Sequence, residues 1–385
     1  MKIFLIIITV LSIIIIASIT LNTSIVNADE LSDNIYQQME NIDTTELEEY
    51  FNNLNTIPNN IGFFDYLNKL LNGEFTLDFN SIFTYTANAF LNNFSHYLPV
   101  LISIIAIGLF SGLMKSLRSK YFLHDGDIVS LVCLLSIILL LISSINLLFE
   151  NTENTIKNIA KLTEIMSPII LTLMVAGGGA SSANIYKPTV VFLSNGIINI
   201  FLSIVLPLVS LMIVLTIITN FSDNIKITKF IDTITSIIKW IIGLIITIFG
   251  TYLTIQGITS ASYDGISIKA AKYAISNSIP MVGGFLKDGF DLIIVSSVLI
   301  KNAIGVTTVI ALLYTILSPV LSIAVFSLTL KFACAILEPV ADNKIINFCT
   351  STSRCLSYLT IYLLTVGLML FITILLIMFT ANSYF

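Results

Sequence analysis

The sequence predicts an all-α, polytopic membrane protein with an N-terminal signal sequence and about six to eight spans or re-entrant helices. Charged residues make up 11% of the 385 residues, against roughly 25% in soluble domains. Apolar residues reach 56%, and the mean hydropathy is +0.95. Residues 188–221 and 302–330 contain no charged side chain, and uncharged apolar stretches of this length are typical of membrane spans.

The N-terminus has the pattern of a secretory signal. Met1-Lys2 precedes an apolar run from Ile3 to Leu21, and Val26-Asn27-Ala28 offers a small-residue cleavage site. We assign residues 1–28 to a signal peptide. Because the apolar run is longer than in most signals, an uncleaved anchor stays open.

Residues 29–96 are predicted to form an acidic extracytoplasmic arm of short helices. Eleven acids and one base, Lys69, lie between Asp29 and Phe83. A segment this small buries too little surface to fold robustly alone, so we expect it to rest on the membrane face or on a partner.

The clearest spans are 97–114, 128–149, 240–258 and 356–379. Three bases follow the first span, and two later connections are also basic; the residues are Lys115, Arg118 and Lys120, then Lys226, Lys229 and Lys239, then Lys331, Lys344 and Arg354. Basic connections stay in the cytoplasm. The first span therefore runs inward, and the C-terminus is expected outside.

The chain also repeats itself with an offset of about 110 residues. Pro168, Gly177 and Pro207 correspond to Pro280, Gly289 and Pro319, and 39 residues separate the two prolines in each copy. The predicted units are 97–206, 207–318 and a half unit at 319–385.

The stretches that connect the clear spans are ambiguous. As one helix, 188–221 would be about 50 Å long, well over the hydrocarbon thickness, so we expect a break at Asn195-Gly196 and at Pro207. Broken segments in corresponding repeats point to a transport path. The candidate pore or gate residues are Gly177, Gly178, Gly179, Pro207, Pro280, Gly283, Gly284, Lys287, Asp288, Asp291, Lys301 and Pro319.

The charged residues among these candidates allow two interpretations. In the bilayer, Lys287, Asp288, Asp291 and Lys301 would need partners or water; the alternative is a solvated external loop, which we favour. Lysines 157, 161, 269 and 272 are expected on amphipathic segments at the membrane interface.

The sequence shows no metal-binding spacing, phosphate-binding loop or nucleophile motif, and no basic patch for nucleic acid. We therefore predict no enzyme activity and no cofactor.

The run TYLTIQGITSASYDGISIKAAKYAISNSIPMVGGFLKDGFD from Thr251, followed by VLIKNAIGV, resembles the stage III sporulation protein AE family. PTVVFLSNG, LKFACAILEPVADNKI and LTVGLMLFITILL are similar as well. The resemblance implies a multi-pass protein of the mother-cell membrane around the forespore. It also implies partners: ring-forming subunits, a secretion-type ATPase and a forespore membrane protein.

Three functions are compatible with this reading. The first is a core subunit of a mother cell–forespore channel or secretion-like complex, acting as conduit or export gate. The others are a secondary transporter that feeds the forespore and a non-conducting scaffold of the complex. All three share one topology, so hydropathy does not separate them.

Overall fold

The computed structural model describes residue 35 and residues 45–53, 63–71, 79–121, 126–221, 227–278 and 283–380. The predicted signal sequence and its cleavage site lie outside the described residues, as does Pro280. Two short helices of the acidic arm are described, α1 (Thr45–Asn53) and α2 (Phe63–Leu71).

Six long helices follow, and each is long and apolar enough to cross a membrane. They are α3 (Phe79–Tyr121), α4 (Gly126–Ala176), α5 (Ala180–Phe221), α6 (Thr228–Ser278), α7 (Gly283–Leu337) and α8 (Asn343–Phe379). The prediction of an all-α polytopic protein is confirmed, with six candidate spans.

Helices α7 and α8 form the centre of the bundle. In their most apolar windows, 72% and 67% of the residues are buried, against 28–39% in the other four long helices. Helix α7 packs against α3, α4, α6 and α8, and α8 packs against α4 and α5. Large side chains such as Phe326, Phe348 and Tyr362 fill the space between them.

Along an alternating path the first, third and fifth long helices run in the same direction, so the ends of α3, α5 and α7 lie at one end of the bundle. Contacts between α3 and the α7–α8 turn fit this arrangement. The Lys115 ammonium lies 3.5 Å from the Asp342 carboxylate. The Asp342 side chain also accepts a hydrogen bond from the Lys344 backbone N–H and caps α8.

The expected break within 188–221 does not occur. Helix α5 continues through the region with two π-helical segments, Phe192–Ile197 and Phe201–Val205. The first contains Asn195-Gly196, and the second ends two residues before Pro207, whose ring does not fit a regular α turn. The wider turns absorb the irregularity, so the chain needs no loop.

Two other expectations are corrected. Asp291 lies within α7, as do the backbones of Lys287 and Asp288, so this stretch is not a loop; the side chains of Lys287 and Asp288 lie outside the described part. Lys157 and Lys161 belong to the continuous helix α4 and not to a separate interfacial helix, because Ile156, Ile159 and Leu162 bury one face of this stretch.

The internal repeat stays a prediction. Pro207 and Pro319 both lie inside long helices, α5 and α7. In contrast, Gly177 lies at a helix end and Gly289 lies inside α7. The boundaries of the predicted units are likewise untested.

Candidate functional site

Gly177, Gly178 and Gly179 form the turn that joins α4 to α5. Gly178 has a φ of 85°, in the left-handed region that glycine enters without strain. Its N–H bonds to the Val175 carbonyl, and the Gly179 N–H bonds to the Met174 carbonyl. These two bonds make a Schellman cap, so the glycines end one helix and allow the next to start at once.

This glycine turn packs against α7. A Cβ atom added at Gly177 would lie 3.2 Å from Val298 Cγ2, which is tighter than an ordinary contact. Two hydroxyl residues beside Val298, Ser296 and Ser297, are fully buried. The turn therefore meets α7 one helical turn before Lys301, and two of the predicted candidate segments come together.

Lys301 has no solvent exposure and holds the end of α8. Its ammonium donates to the backbone carbonyls of Met378, at 3.1 Å, and of Thr380, at 2.5 Å. These carbonyls lie at the C-terminal end of α8, where the negative end of the helix dipole favours a cation. Lys301 thus joins the middle of α7 to the last turn of α8.

Helix α5 completes this buried cluster and links it to α6. The hydroxyl oxygens of Thr380 and Tyr186 are 3.2 Å apart. One turn later, Thr189 donates to the Gln256 side-chain carbonyl at 2.5 Å, and the Gln256 amide donates to the Ile185 carbonyl at 2.7 Å. Polar contacts therefore connect four helices, α5, α6, α7 and α8, within an otherwise apolar interior.

Of the candidates whose side chains the structure describes, Pro207, Pro319 and Asp291 lie away from this cluster. Pro207 is exposed on α5, whereas Pro319 is buried inside α7. Gly283 and Gly284 begin α7. Asp291 is partly exposed, ten residues before Lys301 on the same helix.

A cavity of about 410 Å³ lies beside Pro319, between α3 and α7. Its lining is polar and includes Asn88, Asn92, Asn93 and Ser318, with Tyr85 at one side. The Tyr85 ring meets the Tyr314 ring edge-on, at 5.4 Å between centroids. Amide groups of this kind bind water or a polar ligand by hydrogen bonds.

The acidic arm docks on the bundle near this cavity. The Tyr50 hydroxyl of α1 lies 3.3 Å from the Asn158 carbonyl of α4 and 3.4 Å from the Thr315 hydroxyl of α7. Burial raises the pKa of Tyr50, and the Thr315 bond partly opposes this. Leu47 and Phe51 are buried beside it. The arm is expected from its sequence to rest on the membrane face or on a partner; in the structure α1 instead packs on the bundle of its own chain.

Sequence reasoning missed the close contact at the opposite end of the bundle. Gly108 and Gly112 of α3 face Leu337 and Val340 at the α7–α8 turn. Their spacing, four residues, is that of the small-residue motif that brings membrane helices together. A search of the sequence for this motif would have identified both glycines.

The described residues contain no group of three or more metal-ligating side chains that could hold an ion. The four cysteines, Cys133, Cys334, Cys349 and Cys355, are free and buried. What the described residues offer is a tightly packed bundle with fixed helix ends.

Comparison with known proteins identifies the kind of bundle. Residues 61–381 match the family described as stage III sporulation protein AE. The stage III sporulation protein AE of Bacillus subtilis (strain 168) is 28% identical over 246 residues, which is 64% of this chain and 62% of that relative. The aligned part thus spans less than two thirds of the relative. No solved structure matches the chain.

Proposed function

The chain belongs to the stage III sporulation protein AE family, and from this we propose that it is a membrane core subunit of the channel or secretion-like complex that joins the mother cell to the forespore. The observation that carries the proposal is the extent of the family match. It covers residues 61–381 and therefore all six long helices. A role in sporulation follows from the family, and the channel role is our proposal.

In this proposal the chain lies in the mother-cell membrane around the forespore. The basic connections at 115–125, 222–239 and 331–354 face the mother-cell cytosol, in accord with the positive-inside rule. The acidic arm and the α4–α5 turn then face the space between the two membranes. Six crossings put the end of α8 on the same side as the arm.

The conduit lies between this chain and its neighbours. Because side chains of α7 and α8 fill the centre of the monomer, a path through a single chain would require these helices to separate. Helix α5 instead exposes a row of polar side chains, Asn195, Asn199, Ser203 and Ser210. Amides and hydroxyls within a span pack against protein or water in preference to acyl chains.

Helix α6, which packs beside α5, offers a further surface where other subunits bind in this proposal. Gly243 and Gly250 have no atom within 4 Å of an added Cβ, and Thr247 and Thr254 are exposed beside them. Small residues at this spacing allow close approach of another membrane helix.

The partners in this proposal are the other subunits of the complex, including ring-forming proteins and a secretion-type ATPase. A protein in the forespore membrane binds from the other side, and lipid surrounds the bundle. The proposal includes no catalysis, no cofactor and no nucleic acid.

Cysteine labelling in sporulating cells tests the conduit. Asn199→Cys and Ser203→Cys place thiols on the polar row of α5, and Leu211→Cys places one on its apolar side as the matched control; all three side chains are exposed in the monomer. A conduit predicts that a small charged thiol reagent modifies the first two and not the third. Protection of all three positions would contradict a water-filled path along α5.

A secondary transporter is the second candidate, because Asp291 and the buried Lys301 place ionisable groups on α7. Ion-coupled transport would be abolished by Asp291→Asn while the protein still assembles with its partners. Normal spore formation by that variant would exclude an essential role for this carboxylate and favour a conduit or a scaffold.

A further inference from the structure

The exposed surface of α4 changes abruptly along the helix. From Ile128 to Leu147, most of its exposed side chains are apolar, namely Ile128, Val132, Leu135, Leu139, Ile142 and Leu147; the polar exceptions are Ser136, Ser143 and Asn146. From Glu150 to Glu164, no large apolar side chain is exposed, and the exposed residues include Glu150, Lys157, Lys161 and Glu164. One continuous helix therefore has an apolar half and a polar half.

Helix α3, which packs against α4, also exposes apolar side chains over the same length. Its exposed apolar residues include Leu98, Ile102, Leu109 and Leu113. Exposed His96 lies just beyond one end of this set and exposed Lys115 just beyond the other. We call the exposed apolar surface of both helices on the side of the basic connections the apolar belt. It ends sharply on α4, whereas beyond His96 the surface of α3 is mixed, with Phe83, Phe90 and Leu91 exposed among Asn88 and Asn92.

The length of the belt fits a bilayer. The 22 residues from Ile128 to Glu150 rise about 33 Å, close to a hydrocarbon core of about 30 Å. The remaining part of α4, from Glu150 to Ala176, rises about 40 Å further. A single crossing therefore uses less than half of the helix.

Other residues packed around the polar half also require water. Helix α1 docks there through Tyr50 and Asn158, and it carries Glu46, Glu48 and Glu49, of which Glu46 and Glu49 are exposed. The fully buried Lys301 lies in the same layer, since it is tied to the end of α8 and packs near the α4–α5 turn. These charges would be costly at acyl-chain depth.

We propose that lipid surrounds only the part of the bundle between the basic connections and the level of His96 and Glu150. The remainder stands about 40 Å out of the bilayer as a rigid bundle in water. The occupant of the apolar belt is the acyl chains of phospholipids. This division holds whatever the complex carries; only the identity of the outer side as the space facing the forespore rests on the proposed function.

The single tryptophan of the chain provides the test. Trp240 is 68% exposed on α6, and replacing it with Phe gives a background free of tryptophan emission. In that background, Leu139→Trp reports on the belt and Lys161→Trp reports on the polar half of α4. Glu164→Trp is a second outer probe. All three positions are exposed, so the core is unchanged.

The full-length variants are reconstituted without partners into phosphatidylcholine vesicles whose acyl chains carry bromine. The Leu139→Trp variant should lose most of its emission to the brominated chains and little to acrylamide in the water. The Lys161→Trp and Glu164→Trp variants should show the reverse. Equal quenching of all three by brominated chains would overturn the proposal, as would failure of brominated chains to quench the Leu139→Trp variant. Neither result would decide whether the complex conducts.

Discussion

Gly112 allows α3 to approach the turn between α7 and α8. A Cβ atom added there would lie 2.2 Å from the Val340 carbonyl oxygen and 2.8 Å from its carbonyl carbon. At Gly108 the nearest atom is Leu337 Cδ1, at 2.5 Å, and a flexible side chain can move away. The backbone of Val340 has less freedom, because Asp342 caps α8 two residues later.

The loss in free energy of unfolding expected for Gly112→Ala follows from this geometry. Restoring an ordinary contact requires the two backbones to separate by about 1 Å, and overpacking of this kind costs about 1–3 kcal/mol. The contact with a backbone places the cost near the upper value. Alanine returns about 0.5–1 kcal/mol through its better helix propensity. We expect a net loss near 2 kcal/mol, or about thirtyfold in the folded-to-unfolded ratio.

Denaturation of the full chain in detergent micelles, followed by Trp240 fluorescence, measures this loss. Gly243→Ala is the matched control, because its added Cβ meets nothing within 4 Å; it should leave stability unchanged or raise it slightly. If Gly112→Ala were as stable as Gly243→Ala, the close approach of α3 to the α7–α8 turn would be refuted.

Three further predictions concern the two ends of α8 and the docked acidic arm. Lys301→Met leaves the Met378 and Thr380 carbonyls without their donor and should cost about 1–3 kcal/mol in the same denaturation, whereas exposed Lys187→Met should cost nothing; equal curves would contradict the helix-end role. Burial alone would raise the pKa of Asp342, but the Lys344 N–H and the Lys115 ammonium lower it below its usual 3.8. Stability should therefore be present above pH 3.8 and fall as the pH drops from there through the lowered pKa, and the Asp342→Asn variant should lack this decline; parallel pH curves would refute the assignment. Leu47→Ala opens a cavity under the docked arm and should weaken docking by about 2–5 kcal/mol, seen as faster proteolysis of 45–71 in the full chain, while exposed Glu46→Ala should leave the cleavage rate unchanged; equal cleavage rates would contradict docking.

The sequence was sufficient for the class of fold because low charge and uncharged runs leave no alternative to lipid. It also indicated the helix end at Gly177–Gly179, although as a broken segment and not as a Schellman cap. The long continuous helices were missed for a physical reason. A polar stretch such as 150–164 looks like the end of a helix, whereas Ile156, Ile159 and Leu162 show at helical spacing that the helix continues.

The contacts of the candidate site were beyond sequence reasoning. Lys301 was named as a candidate, but the carbonyls it binds lie 77 and 79 residues away. No local pattern relates a lysine to the end of another helix. The short-range signal of Gly108 and Gly112 was available, and it would have predicted a close contact without naming the partner.

The central claim is an alternating bundle of six helices with its basic connections in the cytosol. Ala180 and Glu338 are both exposed and lie at opposite ends of the bundle, beside the α4–α5 and α7–α8 turns. The four native cysteines are buried, so they should not react with a thiol reagent in the folded protein. In non-sporulating cells that express the chain in the cell membrane, a membrane-impermeant thiol reagent added outside the cells should modify the Ala180→Cys variant and leave the Glu338→Cys variant untouched until the membrane is opened. Modification of the Glu338→Cys variant in intact cells would contradict the account.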